Sequence, residues 1–589
     1  MYVGRQMATR TAHIIAVVPE ALPRNAELAE KLELLADLLE LDGADSFRLS
    51  AYRKAAVRIR ESAAPVARLA LEGKATELPG IGSTIANKIA ELTETGDLQA
   101  LAKLRARVPT GLVDVMHVQR LGPKTARRLW KELGVTSVDE LRAAAEAERL
   151  RGLQGLGPKT EEKVLASLRR PVADARTGRT LLGRALPVLR ALVEDVRAHP
   201  ACELVSEAGS GRRRVETVRD LDLIATASDP AALTSHFTSL PRVADVIAKG
   251  STKATITSYD GFRFDLRVVP PESYGNLLQH FTGSKAHNVA LREDAVRRGL
   301  SVSEYGVQET ETGELFQTVD EEEVYERLGY AWIPPELREN RGELETARVG
   351  ELPRLVELGD IEGDLHMHTD WSDGRGTLVE MVQAAQELGR RYIAICDHSK
   401  RLRGDLLVRQ TEEIATVREQ VDGVEILAGI EVDIRRDGSL DVDDETLAAR
   451  DWVMASVHSA FDLPRPELTK RICSALENPH VDCIGHPTGR KLNKRAPYDV
   501  DFEAVVDRAV ATGTFLELNS QPDRLDLTDT HARAAAEAGV KIVISTDAHR
   551  VAELEYLELG VFQARRAWIT REQVVNARPW QEVRGMLKA

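Results

Sequence analysis

The sequence predicts a multidomain α/β chain, and three observations carry that expectation. Its 589 residues exceed what one hydrophobic core organises, so several cores are expected. The hydrophobic period changes along the chain: helical in the first third, alternating in the middle, and repeating strand then helix after Gly363. The composition is aliphatic, with only 4% aromatic residues and no apolar run of membrane-spanning length, so no membrane association is expected. Cys202, Cys396, Cys473 and Cys483 are scattered without paired spacing, which predicts a reducing cytoplasmic setting and no structural disulfide. The net charge of −14 argues against a uniformly basic chain, yet residues 1–175 hold 27 Lys and Arg against 23 Asp and Glu. A local basic face suffices to meet phosphate.

Residues 1–24 read as a poorly ordered leader, with a short apolar run at 14–18 but no signal-peptide cleavage region. Leu28, Leu32, Leu35, Leu38 and Leu39 then recur at helical spacing, followed by a basic, aromatic-bearing helix around Tyr52. Three glycine turns come next, each opening a helix: Gly80 and Gly82; Gly122 with Lys124; and Gly155 and Gly157 with Lys159. Free backbone N–H groups at such a helix start meet a phosphate without reading any base.

In the middle of the chain, a helix over 181–196 leads into a strand over 203–207 and the turn Gly209-Ser210-Gly211 with its three arginines. Leu221 and Leu223 alternate with Asp220 and Asp222, so a strand there buries the leucines and projects both carboxylates from the other face. Around Asp265, Phe264 and Leu266 alternate with Arg263 and Arg267, which makes it a third carboxylate for a neighbouring strand. Clustered carboxylates repel unless a cation sits between them, and divalent ions such as Mg²⁺ combine carboxylate and phosphate ligands. The outline is a phosphoryl-transfer site. Residues 290–299 read as a helix with arginines for a template strand or for surface ion pairs, and 318–328 as helical within an acidic, proline-interrupted stretch.

After Gly363, seven candidate strands end near His366 and His368, His398, Glu431, His458, His486, Asn519, and Asp547 with His549. Six of the seven finish in a residue suited to metal. Parallel βα units gather such residues at the carboxyl ends of their strands.

Taken together, the Gly-Ser-x-Arg-Arg turn, the Asp-x-Asp pair, Asp265 and the stretch Phe281-Thr282-Gly283-Ser284-Lys285-Ala286-His287-Asn288 resemble the palm and thumb of a family X DNA polymerase. The resemblance implies that Asp220, Asp222 and Asp265 hold two Mg²⁺ or Mn²⁺ ions. It also implies that Gly209, Ser210 and Arg213 contact the incoming triphosphate and that Gly283 and Asn288 lie along the nucleotide. Two positions depart from the family pattern: Arg219 replaces a glycine, and His280 replaces an aromatic residue.

The glycine turns resemble helix-hairpin-helix motifs, the second carrying Arg120 at its earlier glycine position. The first also resembles the family's lyase domain, which would make Lys88 a Schiff-base nucleophile, or else a phosphate ligand, with Tyr52 near the 5′-phosphate. Thr84 stands where relatives often carry lysine.

The C-terminal third resembles the PHP (polymerase and histidinol phosphatase) domain, whose fold is a distorted (β/α)7 barrel. That likeness groups His366, His368, Glu431 and Asp547 around one ion; Glu431, His458 and His486 around a second; and Asp373, His398 and His549 around a third. Mixed imidazole and carboxylate ligands suit three Mn²⁺ or Zn²⁺. Arg435 and Arg490 are further candidates for phosphate.

The expected organisation is therefore a leader at 1–24, a lyase-like helical domain at 25–100, a fingers-like domain at 101–175, a nucleotidyltransferase palm at 176–265, a thumb at 266–335, a linker at 336–360 and a PHP domain at 361–589. The implied function is filling of short gaps in repair of damaged DNA, with a PHP 3′-5′ exonuclease or phosphoesterase acting beside it. Expected partners are gapped or primed double-stranded DNA and dNTPs, with the protein a monomer. Arg219 and His280 motivate an alternative, a PHP nuclease or phosphatase whose polymerase half only binds DNA.

Overall fold

The computed structural model describes residues 22–23, 25–44, 46–60, 62, 66–78, 80–116, 118, 121–153, 156–168, 179–259, 261–402 and 404–588. The chain divides into two compact units, 1–171 and 172–589. All but two residues of the expected leader lie outside the described residues.

The first unit is helical. Its opening helix, Asn25–Asp42, buries Leu28, Leu32, Leu35, Leu38 and Leu39 along one stripe, as a 3.6-residue period requires. The next helix, Ser46–Arg60, adds Leu49, Tyr52, Ala55, Ala56 and Ile59 to the same core. Helices Ser83–Thr95, Pro123–Leu133 and Pro158–Leu168 follow the three glycine turns. Left-handed Gly96 and Gly134 terminate the first two of these.

The second unit begins with β1 (Thr180–Leu181) and the helix Leu182–Arg197, then β2 (Cys202–Ala208), β3 (Thr217–Val218), β4 (Asp220–Ala227), β5 (Val243–Lys249), β6 (Lys253–Ser258) and β7 (Arg263–Val268). A five-stranded sheet runs β2-β4-β7-β6-β5, with β4 and β7 parallel at its centre. Helices Tyr274–Thr282 and Lys285–Arg297 and a small sheet of β8 (Leu300–Ser303), β9 (Gly306–Glu309) and β10 (Leu315–Phe316) follow.

Two domain boundaries shift. A break after residue 265 would cut β7, whose pairing with β4 runs on to Val268. Residues 336–360 are also no free linker, because Arg338 and Glu343 are fully buried and Leu337, Leu344 and Leu355 share a core with Leu291 and Tyr325. Three apolar side chains and a buried ion pair bind this segment to the helices before it.

The last element is a parallel sheet of seven strands in sequential order: β11 (Gly363–Met367), β12 (Tyr392–Ile395), β13 (Glu425–Asp433), β14 (Trp452–Ser456), β15 (Cys483–Ile484), β16 (Phe515–Asn519) and β17 (Ile542–Ser545). The ends meet: the Asp547 N–H donates to the His366 carbonyl at 2.8 Å and the His368 N–H to the Ala548 carbonyl at 2.8 Å. This nearly closed barrel collects the strand ends in one mouth. Ion pairs fasten it to the palm, Glu558 bonding Arg190 at 2.9 and 2.7 Å and Arg490 bonding Glu216 at 2.7 Å.

Candidate functional sites

In the palm, Asp222 lies directly opposite Asp265 across the β4 and β7 pair, and Asp220 precedes it by two residues on the same face. Leu221, Leu223, Phe264 and Leu266 point into the core, so the alternation that buries them forces the three carboxylates together. The Thr255 hydroxyl on β6 donates to Asp265, and the Arg263 guanidinium lies 3.4 Å from Asp265 and 3.8 Å from Asp220. Burial, then the charges of Asp265 and Asp220, push the Asp222 carboxyl up to about 6. A divalent cation relieves that repulsion, so these residues fit the expected ion.

Gly209 is required beside this carboxylate. Its φ is +61°, and a Cβ there would stand 2.1 Å from Asp222 Oδ2. Ser210 follows it in the short helical turn Gly209–Arg212, whose start has no side-chain cap.

The neighbouring arginines are already engaged. Arg212 makes a two-point bond to Glu321 at 2.7 and 2.8 Å, and Arg214 pairs with Glu207. Arg213, expected at the triphosphate, donates to Glu339 at 3.1 Å and to the Thr282 carbonyl, beside left-handed Gly283. A phosphate at Arg213 therefore competes with Glu339. Asn288 likewise donates to the His280 carbonyl at 2.7 Å and accepts from Gln279 at 3.0 Å, which orients the helix end. Burial and then Arg292 lower the basicity of His280, which keeps that ring neutral. Arg219 is exposed.

The barrel mouth centres on Glu431. His398 Nδ1 lies 2.8 Å from it, His486 Nε2 3.2 Å, His458 Nε2 3.3 Å, His366 Nε2 3.6 Å and His368 Nε2 3.7 Å. Asp547 stands 3.1 Å from His368, while Asp373 is 3.5 Å from both His398 and His549. Ligand atoms gather in three groups: His366, His368 and Asp547; His398, Glu431 and His458; and His368, Asp373, His398 and His549. These groups overlap the expected ones: the two His398 nitrogens face Glu431 and Asp373, and His368 stands between two groups.

Both Glu431 oxygens are buried and, despite the close imidazole nitrogens, make no hydrogen bond, and neither does Nδ1 of His368 or of His486. Glu431 and Asp547 resist burial and stay well below the usual carboxylate range because imidazoles surround them. His458 is correspondingly raised to about 10 against burial by Glu431 and Asp433. Protons thus offset the acids where divalent cations would, so the donor set fits metal. His486 and Asp547 also take left-handed backbone, φ +30° and +53°, a strain typical of functional positions.

Three residues behind these ligands carry no motif of their own in the sequence. Glu517, fully buried on β16, accepts from His366 Nδ1 at 2.7 Å and Ser545 at 2.7 Å. Asp433 receives His458 Nδ1 at 2.8 Å, and Asn519 donates to Asp547 at 3.0 Å. Glu517 sits in one of the candidate strands, so an acid between Leu516 and Leu518 is the signal that marks it. Of the two arginines considered for phosphate, Arg490 is spent on Glu216 and the Leu525 carbonyl, while Arg435 is exposed.

In the helical unit, Gly82 and Gly122 cap helices Ser83–Thr95 and Pro123–Leu133 with no side-chain bond, which leaves the first N–H groups open. Gly80 takes φ +83°, Gly157 precedes the third helix, and Lys124 is exposed. Gly155 and the Lys159 side chain lie outside the described residues. Lys88 Nζ pairs with Glu91 at 3.0 Å. Tyr52, expected near a 5′-phosphate, is only 4% exposed, because its helical spacing with Leu49, Ala56 and Ile59 turns it into the core.

Comparison with known proteins adds to this geometry. Residues 23–98 match a helix-hairpin-helix domain, 112–170 a SAM-like helix-hairpin-helix tandem, 277–339 the DNA polymerase beta thumb and 364–521 the PHP domain. The chain is 39% identical to the DNA polymerase/3′-5′ exonuclease PolX of Bacillus subtilis, over 95% of this chain and 99% of that protein. A probable phosphatase of Thermoanaerobacter is 32% identical over 36% of this chain and 89% of its own length. Another, from Clostridium acetobutylicum, is 29% identical over 32% of this chain and 78% of its own.

Proposed function

The chain belongs to the bacterial PolX family of DNA polymerases with a C-terminal PHP domain, and from this premise we propose that it fills short gaps in DNA and degrades DNA 3′ ends at its barrel. The observation that carries the reading is the coexistence of two carboxylate-rich centres on separate sheets, one around Asp222 and one around Glu431. No helix among the described residues is long and apolar enough to cross a membrane.

In the palm, Asp220, Asp222 and Asp265 would hold two Mg²⁺ or Mn²⁺ ions. When bound, these supply activation of a primer 3′-hydroxyl and charge neutralisation on the leaving pyrophosphate. Thr255 orients Asp265, and Gly209 lets the backbone N–H groups of its turn approach the triphosphate. Ser210 and Arg213 contact that triphosphate once Arg213 exchanges Glu339 for phosphate, while Gly283 and Asn288 shape the nucleotide side. Gly80, Gly82, Gly122, Lys124, Gly155, Gly157 and Lys159 grip the duplex backbone, with specificity left to base pairing.

In the barrel, the histidines and carboxylates around Glu431, Asp373 and Asp547 would hold three Mn²⁺ or Zn²⁺ ions, which would supply water activation and charge neutralisation at the departing oxygen. Glu517 fixes the orientation of His366, and Asp433 that of His458, as residues behind metal ligands do.

The deciding experiment uses a one-nucleotide-gapped duplex with Asp265→Ala and His366→Ala. The first variant is expected to lose synthesis and keep degradation, the second the reverse. Loss of both activities in both stably folded variants would contradict two independent centres. The same reading extends to Lys88 as a lyase nucleophile; undiminished borohydride trapping on an incised abasic substrate in Lys88→Ala would remove it.

A further inference from the structure

A cavity of about 550 Å³ adjoins the histidine and carboxylate cluster of the barrel, and its walls differ in chemistry. Arg375, Arg524 and Arg550 bring positive charge, while Lys491 is paired with Asp523 at 3.4 Å, Glu553 adds a negative charge and the Arg524 guanidinium lies 3.6 Å from Asp547. Leu181, Pro522 and Tyr556 face the same space with hydrocarbon and an aromatic ring. Cations and metal ligands suffice to bind a small phosphoester. An apolar wall beside them adds affinity for a substrate that carries a flat, partly apolar group on its phosphate.

The wall is built from two parts of the second unit. Leu181 is a palm residue, fixed where β1 pairs with β3, and the Leu182 N–H donates to the Glu216 carbonyl at 2.9 Å. The helix that follows is pressed against the barrel: a Cβ on Gly183 would stand 2.7 Å from Pro522 and 2.8 Å from Leu559. Pro522 adjoins Gln521, whose amide donates to the Thr546 and Asp547 carbonyls at 3.1 and 2.8 Å. Tyr556 packs against the palm core from the barrel side, and all three wall residues are only partly buried.

We propose that this wall binds the terminal nucleoside of a DNA 3′ end, with Tyr556 setting the preference for nucleotides and Leu181 lent by the palm. The inference rests on the exonuclease reading and assigns the residues that hold the nucleotide to be released. In the reaction, a water oxygen joins phosphorus and the bond from phosphorus to the 3′-oxygen of the penultimate nucleotide breaks. That oxygen takes up a proton, and a free 5′-nucleotide leaves.

The test compares p-nitrophenyl thymidine 5′-phosphate with methyl p-nitrophenyl phosphate, two esters with one leaving group that differ in the nucleoside. Tyr556→Ala is expected to raise KM for the thymidine ester by roughly ten-fold, the scale of lost base stacking, and to leave the methyl ester unchanged. Leu181→Ala, on a different segment, should show the same selectivity, and Tyr556→Phe should behave as wild type. Calorimetric binding of thymidine 5′-phosphate with Mn²⁺ should weaken by a similar factor in Tyr556→Ala while inorganic phosphate binds as before. Unchanged gap filling reports an intact fold. Equal losses on both esters, or no loss on either, overturn the proposal. A wild type that hydrolyses neither ester nor a DNA 3′ end instead brings down the exonuclease reading, and this inference with it.

Discussion

Replacing Asp222 by Asn should stabilise the metal-free palm while abolishing synthesis. Asp222 is squeezed between burial and the charges of Asp265 and Asp220, which raise its carboxyl from the ordinary 3.8 to about 6. Ionising it in the folded state therefore costs roughly 3 kcal/mol. Because the folded value lies above the unfolded one, the cost is absent below pH 4, grows between about 4 and 6, and is complete above that. Asn keeps the shape and removes the charge. With a chelator at pH 8, amide exchange of peptides spanning β4 and β7 should slow by about 100-fold in Asp222→Asn. At pH 4 the two proteins should exchange alike. Saturating Mg²⁺ should protect the wild type and leave the variant unmoved. Equal exchange at pH 8, or an advantage undiminished at pH 4, would show that like-charge repulsion is not stored in this triad.

Glu431→Gln removes the carboxylate that five imidazoles surround; elemental analysis should show metal loss, and DNA degradation should stop while gap filling continues. Gly209→Ala places a methyl group 2.1 Å from Asp222 in a left-handed backbone, so gap-filling kcat should fall by about 100-fold with degradation spared. Glu321→Gln weakens the two-point bond to Arg212 and leaves fully buried Arg338 undercompensated, which should cost about 3–5 kcal/mol in urea unfolding. Arginine neighbours hold Glu321 far below its ordinary value, so this contribution is present above the unfolded carboxylate value and lost as pH falls through the folded one. Asp482 has the opposite sign: burial raises it to about 7, so Asp482→Asn should gain about 2–4 kcal/mol at pH 8 and nothing below pH 4, read from unfolding midpoints.

Much of both centres was legible in one dimension because local periods carry it. Leucines alternating with Asp220 and Asp222 dictate which face the acids take, whatever the strand pairs with. The same holds for strand ends that finish in histidine, since a parallel strand delivers its last residues to one rim. Glycine turns likewise announce uncapped helix starts from sequence alone.

What required the tertiary structure depends on partners remote in the chain. Glu517 meets His366 across 151 residues, and Arg566 meets Arg213 across 353. No periodicity encodes such a pairing, which is why Arg213 read as free for phosphate and proved bonded to Glu339. Tyr52 shows the converse, an aromatic residue whose helical phase, and not its basic neighbours, fixed its burial. Sequence determined which side chains each element presents, because sterics and hydrophobic phase act between near neighbours. Only the closing of the barrel and its seat against the palm decided which of them face one another, because long-range contacts form where separate cores find complementary surfaces.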